Sequence, residues 1–298
     1  QAWVVKADGL AAGKGVIVSE SADEALAAVD RIMRHGAFGP AGTRVVLEER
    51  LEGEEISVHA LVHGQSFQIL GTAQDHKRLQ DGDAGPNTGG MGAYTPPPVC
   101  DPALEARIER DIIAPILQEM CAAGRPLQGI LFCGLMVQDA VPKVLEFNTR
   151  FGDPECQALL MRLESPLLPL LLSTAGRGKP LSEHTLCWRA PAALAVVLAA
   201  AGYPQSPVCG ARINGLDQLA TGNHLQVFHA GTRKRAAGDF ETAGGRVLAV
   251  TASGDSVEAA ANLAYRAVDT VHFDGKQWRR DIGWRALSCD RQKHVGPR

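Results

Sequence analysis

Along most of this chain apolar residues gather in short β-type runs, and at a few places they switch to helical spacing, so the pattern predicts strands punctuated by helices. Trp3 to Lys6 reads as a strand, followed by the glycine-punctuated "ADGLAAGKG" and a second strand, "VIVS". Ser21 then opens a helix as N-cap, with Glu24 three residues on and apolar residues at 25, 26, 29, 32 and 33. Three β-rich runs follow, "RVVLEE", "EISVHALV" and "SFQILGTA", the last two joined through His63-Gly64-Gln65, and together they predict an antiparallel meander. Asp101 and Pro102 start a long helix that runs to about Ala123 and closes at Gly124. "GILFCGLMVQ" and "KVLEFN" flank a turn at Asp139 to Pro142, and a helix follows Pro154. Beyond a Gly/Lys/Pro-rich break, "GRGKPLSEHT", strands are expected near 192–200, 225–230 and 246–252, with a helix near 255–271.

One stretch escapes the pattern. From Gln74 to Tyr94, "QDHKRLQDGDAGPNTGGMGAY" is polar at one end and glycine-rich at the other, and it reads as a loop. Long irregular loops inside folded domains are functional or disordered.

Composition narrows the classes. With 298 residues and 45% hydrophobic content the chain can build about two domains with real cores. A net charge of -3 leaves no global basic field for nucleic acid or anionic membrane, so any polyanion must be small and locally recognised. Seven scattered cysteines without a CxxC pair point to a reducing cytoplasm rather than a disulfide framework or structural zinc. The longest apolar run, Pro191 to Ala201, is too short to span a bilayer. The chain begins at Gln1 with what reads as the middle of a buried strand, so an N-terminal truncation is expected.

Four segments could carry chemistry. In "KADGLAAGKG", Lys6 ends a strand, and Gly9, Gly13, Lys14 and Gly15 make a loop whose backbone N–H groups and ammonium could close over phosphates. It matches neither Walker A nor GxGxxG, and a plain surface hairpin loop is the competing reading. "LEERLEGEEIS" is either a solvated acidic turn or an extended linker whose backbone meets an adenine edge while one glutamate meets ribose hydroxyls. In "KVLEFNTRFGDPE", Glu146 and Asn148 share one strand face, two oxygen ligands at the spacing a hard cation wants. A buried strand ending in such groups, with Arg150 after it, is costly unless they are paired or metal-bound. The fourth segment is the unpatterned stretch, where Asp75, His76, Lys77 and Arg78 precede glycines that let backbone approach a ligand.

Taken together, "KADGLAAGKGV", "QDHKR…DAGPNTGGMGAY" and "LEFNTRFGDPE" resemble the signature segments of the glycinamide ribonucleotide synthetase family of the ATP-grasp superfamily. The likeness continues through "FHAGT", "GGRVLAVTASG" and "RRDIGWRA" to about residue 287, without the family's N-terminal domain and the first part of its ATP-grasp region. It implies an α/β (α+β) chain: an ATP-grasp fold of antiparallel sheets with flanking helices, then a small β-rich C-terminal domain. The expected division is 1–58 as the remainder of the small lid subdomain, 59–185 as the core with the metal and substrate site, 186–287 as the C-terminal domain, and a disordered tail at 288–298.

The resemblance further implies ligation of glycine to 5-phosphoribosylamine at the expense of ATP, through a glycyl phosphate. Lys6 would contact ATP phosphates under the Gly9–Gly15 loop, including Gly13, Lys14 and Gly15, while Glu48, Glu49 and Leu51 form the adenine linker and Glu55 holds ribose. Glu146 and Asn148 would ligate Mg2+ or Mn2+. Arg150 and Lys77 are the catalytic candidates, with Arg150 at the anionic transition state or the glycine carboxylate. Asp75, Lys77, Asn87, Thr88, Gly89 and Gly90 would bind the amino acid and the sugar amine. A monomer with no nucleic-acid or membrane partner is expected. Two other readings stay open, a different ATP-grasp carboxylate–amine ligase and a non-catalytic nucleotide-binding module.

Overall fold

Trp3, Val5 and Ala7 point to one side of β1 (Trp3–Ala7), because alternate residues of a strand share a face, and they build the core of the first of two compact units. This computed structural model describes residues 2–11 and 15–288, divided into units of residues 1–53 and 54–298. In the first unit β1 lies between β2 (Val16–Ser19) and β3 (Val45–Glu49), both antiparallel to it. Helix α1 (Ala22–Val29) starts as expected: the Ser21 hydroxyl accepts from the Glu24 N–H at 3.2 Å, and the Glu24 carboxylate accepts from the Glu20 N–H at 2.8 Å. With the π-helical turn that continues it (Asp30–Arg34), it buries Ala25, Ala28 and Ile32 against Val5, whereas Leu26 and Met33 stay exposed, since only one helical stripe meets the sheet.

The predicted three-run meander is corrected here. β3 pairs with β1 and belongs to the first unit; the glycine at 53 breaks the run, and only the next two strands form a hairpin. These are β4 (Glu54–His63) and β5 (Ser66–Asp75), joined through Gly64-Gln65 with His63 opposite Ser66.

After β5 the second unit continues with β6 (Arg78–Gln80) and β7 (Ala84–Asn87), an antiparallel pair, and β8 (Gly92–Thr95). Then come α2 (Pro102–Ile108), a π-helical turn at Glu109–Ile113, and α3 (Ala114–Ala122). The Asp101 carboxylate caps α2 by accepting from the Leu104 N–H at 2.8 Å. The wide turn stands just before Pro115, which cannot donate to the preceding turn. Strands β9 (Gln128–Gln138) and β10 (Val141–Asn148) follow, then α4 (Glu155–Arg162), α5 (Leu167–Thr174) and β11 (Ala192–Ala199). The chain goes on through β12 (Arg212–Ile213), β13 (Leu225–His229), β14 (Thr232–Lys234), β15 (Phe240–Thr242), β16 (Arg246–Gly254) and α6 (Val257–Thr270).

Eight of these strands make one sheet in the order β10-β9-β4-β5-β8-β11-β16-β13, so strands from before and after residue 185 share hydrogen bonds. Ile56, Val58, Ala60 and Val62 of β4 pack with Leu131, Cys133 and Leu135 of β9 against Leu104, Ile108 and Leu117 of the helices. β11 is buried at every position: Leu194, Val196 and Leu198 join the α6 core, and Ala193 and Ala195 meet Ala158 and Met161 of α4. A strand covered on both faces reads as an unbroken apolar run, which is how "AALAVVLA" looks in the sequence.

The Gln74 to Tyr94 stretch is also corrected from loop to structure. Gly92 to Thr95 form a fully buried strand between β5 and β11, disguised by small residues without alternation. Among the described residues no helix is long and apolar enough to cross a membrane.

Candidate active site

In the first unit, β1 pairs with β3 so that Val4 faces Glu48 and Lys6 faces Val46, which puts Lys6 and Glu48 diagonally on one face. The Lys6 Nζ meets Glu48 Oε2 at 2.6 Å. Glu49 lies opposite Trp3 at the end of β3, and Leu51 follows in the connection out of this unit. The Gly9 N–H donates to Ala41 O at 2.9 Å, and a Cβ on Gly9 would come within 2.6 Å of the Ala41 Cα, so this glycine is set by close chain approach. The Gly15 carbonyl accepts from the Ala7 N–H at 2.8 Å. Gly13 and Lys14 lie outside the described residues.

In the second unit, one ammonium stands among four carboxyls. Lys77, just past β5, is ion-paired with Glu55 at the start of β4. Burial alone would lower the Lys77 ammonium, but Glu55, Asp75 and Glu146 outweigh it, and it is pushed up to about 12. The Oδ1 of Asp75 is shielded from solvent and has no hydrogen-bond partner among the described residues. Burial, then the neighbouring Glu155, raises the Asp75 carboxyl well above the usual carboxylate range, against the pull of Lys77. Glu155 opens α4 and is itself buried; burial raises it too, opposed by its own backbone N–H and by Lys77. So many carboxyls around one cation leave the cluster suited to a positively charged ligand group.

Glu146 and Asn148 share a face of β10, opposite Gly134 and Phe132 of β9, just after an irregularity in the pairing between Val144 and Glu146. The Glu146 side chain lies over Gly134, where a Cβ would stand 3.2 Å from its Cγ. The expectation of a buried strand is corrected: β10 is the edge of the sheet and largely exposed. Arg150 donates to the Phe151 carbonyl at 2.7 Å and sits 3.5 Å from Asn148 Oδ1.

A residue that the sequence did not single out holds the next turn. His59 of β4 is completely buried, edge-on to Phe132 and stacked on Phe151, and its Nε2 accepts from the Gly152 N–H at 3.0 Å. Burial, helped by Arg150, lowers its imidazole to about 3, so it is neutral and the proton resides on Nδ1.

The glycine-rich half of the loop folds onto Lys77. The Thr88 N–H and Oγ1 both donate to the Lys77 carbonyl, at 2.8 and 2.9 Å, and Thr88 Oγ1 accepts from the Gly90 N–H at 3.0 Å. Gly90 has φ +109, and a Cβ there would lie 2.6 Å from Pro154 Cδ and 2.8 Å from Asp75 Oδ1. Asn87 ends β7 opposite Arg78, exposed. Asp75, Lys77, Thr88, Gly90 and Glu155 therefore come together, with Gly89 held by Tyr203 and Arg246 from the far end of the chain. Neither of those two was legible: each looked like an ordinary residue in a turn or at a strand start. Glu155 lay unremarked inside "FGDPE".

Residues 1–156 match the family model "Phosphoribosylglycinamide synthetase, ATP-grasp (A) domain", and residues 193–285 match "Phosphoribosylglycinamide synthetase, C domain". The chain belongs to the phosphoribosylglycinamide synthetase family. A phosphoribosylamine–glycine ligase of Mesorhizobium japonicum is 52% identical over 288 residues, covering 97% of this chain and 67% of that protein. The crystal structure of phosphoribosylamine–glycine ligase from Thermotoga maritima superposes with a TM-score of 0.84 at 36% identity, over 94% of this chain and 68% of that one. The biotin carboxylase domain of the Hydrogenobacter thermophilus 2-oxoglutarate carboxylase, at 15% identity and TM-score 0.67, shares the fold over 93% of this chain and 58% of that one. The chain spans about two thirds of the length of the curated relatives it matches. The ATP-grasp fold and the family read from the motifs are both borne out.

Proposed function

We propose that the protein containing this chain joins glycine to 5-phosphoribosylamine, giving glycinamide ribonucleotide, ADP and phosphate through glycyl phosphate. The observation that carries this reading is the folding of the glycine-rich Thr88–Gly90 segment onto Lys77, beside the Asp75 carboxyl, whose Oδ1 has no hydrogen-bond partner among the described residues. Family membership supports the same activity.

Glycine brings an ammonium and a carboxylate. The carboxyl-rich group of Asp75 and Glu155 suits the first, while Lys77 and Arg150 suit the second and the phosphoryl group it accepts. In the first step a glycine carboxylate oxygen forms a bond to the γ-phosphorus as the bond to ADP breaks; in the second the sugar amine attacks the acyl carbon and phosphate leaves. Such chemistry needs positioning and charge neutralisation more than a nucleophilic side chain. Lys6, Gly9, Gly13, Lys14, Gly15, Glu48, Glu49 and Leu51 of the first unit are assigned to the nucleotide, and Glu55 to its ribose. Asn87, Thr88, Gly89 and Gly90 are assigned to the substrates.

Glu146 and Asn148 fit a hard cation, since a carboxylate and an amide oxygen share one face of an exposed edge strand. Among the described residues no group of three or more His, Cys, Asp or Glu side chains could hold a metal ion, so phosphate oxygens and water must complete the shell. When bound, Mg2+ or Mn2+ neutralises charge on the phosphates. The same reading divides the chain into a lid remainder to residue 58, a core to 185 and a C-terminal domain to 287, and makes the protein a cytoplasmic monomer.

The test is ADP release by the full-length protein with each substrate omitted in turn. ADP should need both glycine and 5-phosphoribosylamine; equal release without glycine would refute the ligase reading. Glu146→Ala and Asn148→Ala should weaken metal–ATP use while leaving thermal stability nearly unchanged.

A further inference from the structure

Gly89 is held by residues more than a hundred positions away in sequence. Its N–H donates to Tyr203 Oη at 2.9 Å, and its carbonyl accepts from Arg246 Nη1 at 2.7 Å. The same nitrogen donates to the Asp153 carbonyl at 2.6 Å, and Nη2 donates to the Asp153 carboxylate at 3.0 Å. Arg246, the first residue of β16, thus ties the glycine loop to the turn between Asn148 and Glu155. The fit is close, since a Cβ on Gly89 would lie 3.3 Å from the guanidinium carbon and 3.4 Å from Tyr203 Oη. The Arg246 side chain is only 23% exposed.

We propose that Arg246, assisted by Tyr203, is a positioning residue for the ligation. Gly90, Pro154 and the Asp75 carboxyl meet at one point, and Arg246 binds the residue preceding Gly90 and the residue preceding Pro154. It therefore sets the spacing of the backbone on the two sides of Asp75. A guanidinium can do this because its planar fork serves several acceptors at once; a lysine ammonium on a flexible stem cannot reproduce the geometry. Arg246 acts through Gly89 and Asp153, so it governs how the glycine and sugar-amine substrates sit rather than the chemistry itself. This inference rests on the ligase reading above.

The test uses full-length protein. Arg246→Ala should raise KM for glycine and 5-phosphoribosylamine by roughly 10- to 100-fold while KM for ATP stays within about twofold, since small misplacements of a site act on the substrates they misplace. Arg246→Lys should recover only part of the loss, and Tyr203→Phe should give a smaller change in the same direction. Amide hydrogen exchange at Gly89 and Gly90 should quicken in Arg246→Ala. A merely structural arginine would lower the active fraction, hence kcat, with every KM unchanged, and that result overturns the proposal. Should Arg246→Ala fail to fold, Arg246→Lys with wild-type KM values overturns it equally. If the wild type shows no glycine-dependent ADP release, the ligase reading falls; unchanged exchange at Gly89 and Gly90 in the variants independently refutes the clamp.

Discussion

The Gly152 N–H donates to His59 Nε2 at 3.0 Å, beneath the turn that carries Arg150 and Glu155, and burial, with Arg150 nearby, keeps this imidazole neutral. Its folded-state pKa of about 3 lies below the ordinary 6.5, so between those values the unfolded chain binds a proton that the folded one refuses. The His59 contribution is therefore complete above pH 6.5 and is lost as pH falls toward 3, at up to about 1.4 kcal/mol per pH unit. His76, lowered by burial to about 4, acts with the same sign. Asp75 and Glu155, with raised carboxyls, act with the opposite sign, so the effect is isolated by comparing variants. His59→Phe should cost about 1–3 kcal/mol at pH 7.5 by leaving the Gly152 N–H unpaired, and the gap to wild type in urea unfolding should narrow below pH 6.5. A gap that widens on acidification would contradict this assignment.

Lys77 is the cation that Glu55, Asp75, Glu146 and Glu155 share. Lys77→Met should leave those carboxyls in mutual repulsion and reduce kcat/KM by at least about 100-fold, the scale of losing a preorganised charge at a reacting phosphoryl or carboxyl group. Lys77→Arg should retain more activity than Lys77→Met. The check is steady-state ADP release for the three proteins, and equal activity of the methionine variant would remove Lys77 from the catalytic assignment.

Arg279 has a fully buried side chain that donates to Asp281 at 2.7 Å, to Asp83 at 2.8 Å and to the Arg78 carbonyl at 3.3 Å. It secures the turn at Asp81–Asp83, next to the β6–β7 pair. Arg279→Met should destabilise the fold by about 1–3 kcal/mol, because it removes charge-assisted hydrogen bonds to two half-buried carboxylates and to a backbone carbonyl, while Asp83 keeps its pairing with Arg285. Guanidinium unfolding measures this, and a change below about 1 kcal/mol would mean the carboxylates find other partners.

Gly90 cannot carry a side chain where it stands. With φ +109 and Pro154 Cδ at 2.6 Å from an added Cβ, Gly90→Ala must shift the loop or the turn opposite. Loss of glycine-dependent turnover is expected with the melting temperature lowered by a few degrees, on the order of a strained-backbone cost of about 1–3 kcal/mol. Retained wild-type activity would show that the Asp75 neighbourhood tolerates rearrangement.

Much of the fold was legible because local rules dominate there. Ser21 and Asp101 cap the helices that follow them, and the turn at Asp139–Ala140 joins β9 to β10 as expected. The motif residues were legible because they lie close in sequence: Asp75 with Lys77, Thr88 with Gly90, and Glu146 with Asn148 all keep local proximity in the structure. What failed was partnership. Val45–Glu49 has the same β-rich character as the strands after it, yet it pairs with β1, and nothing in its pattern distinguishes the two outcomes. Gly92–Thr95 becomes the most buried part of the unpatterned stretch because β5 and β11 flank it, a fact held in residues far from it.

By itself the sequence determined the chemistry available: a lysine-bearing glycine loop, an acid–amide pair at strand spacing, and a charged segment running into glycines, which together name a family. Tertiary structure alone decided which of those groups share an environment. The Asp75 Oδ1 is left without a partner among the described residues, and the carboxyl is hard to ionise, only because the fold buries it and brings Glu155 and the Gly90–Pro154 contact around it. Gly89 has a fixed place only because Arg246 and Tyr203 reach it from the strand and turn that follow. Periodicity and capping act over a few residues and leave a mark in the sequence. A hydrogen bond across 157 positions depends on how the whole sheet is ordered, and it leaves none.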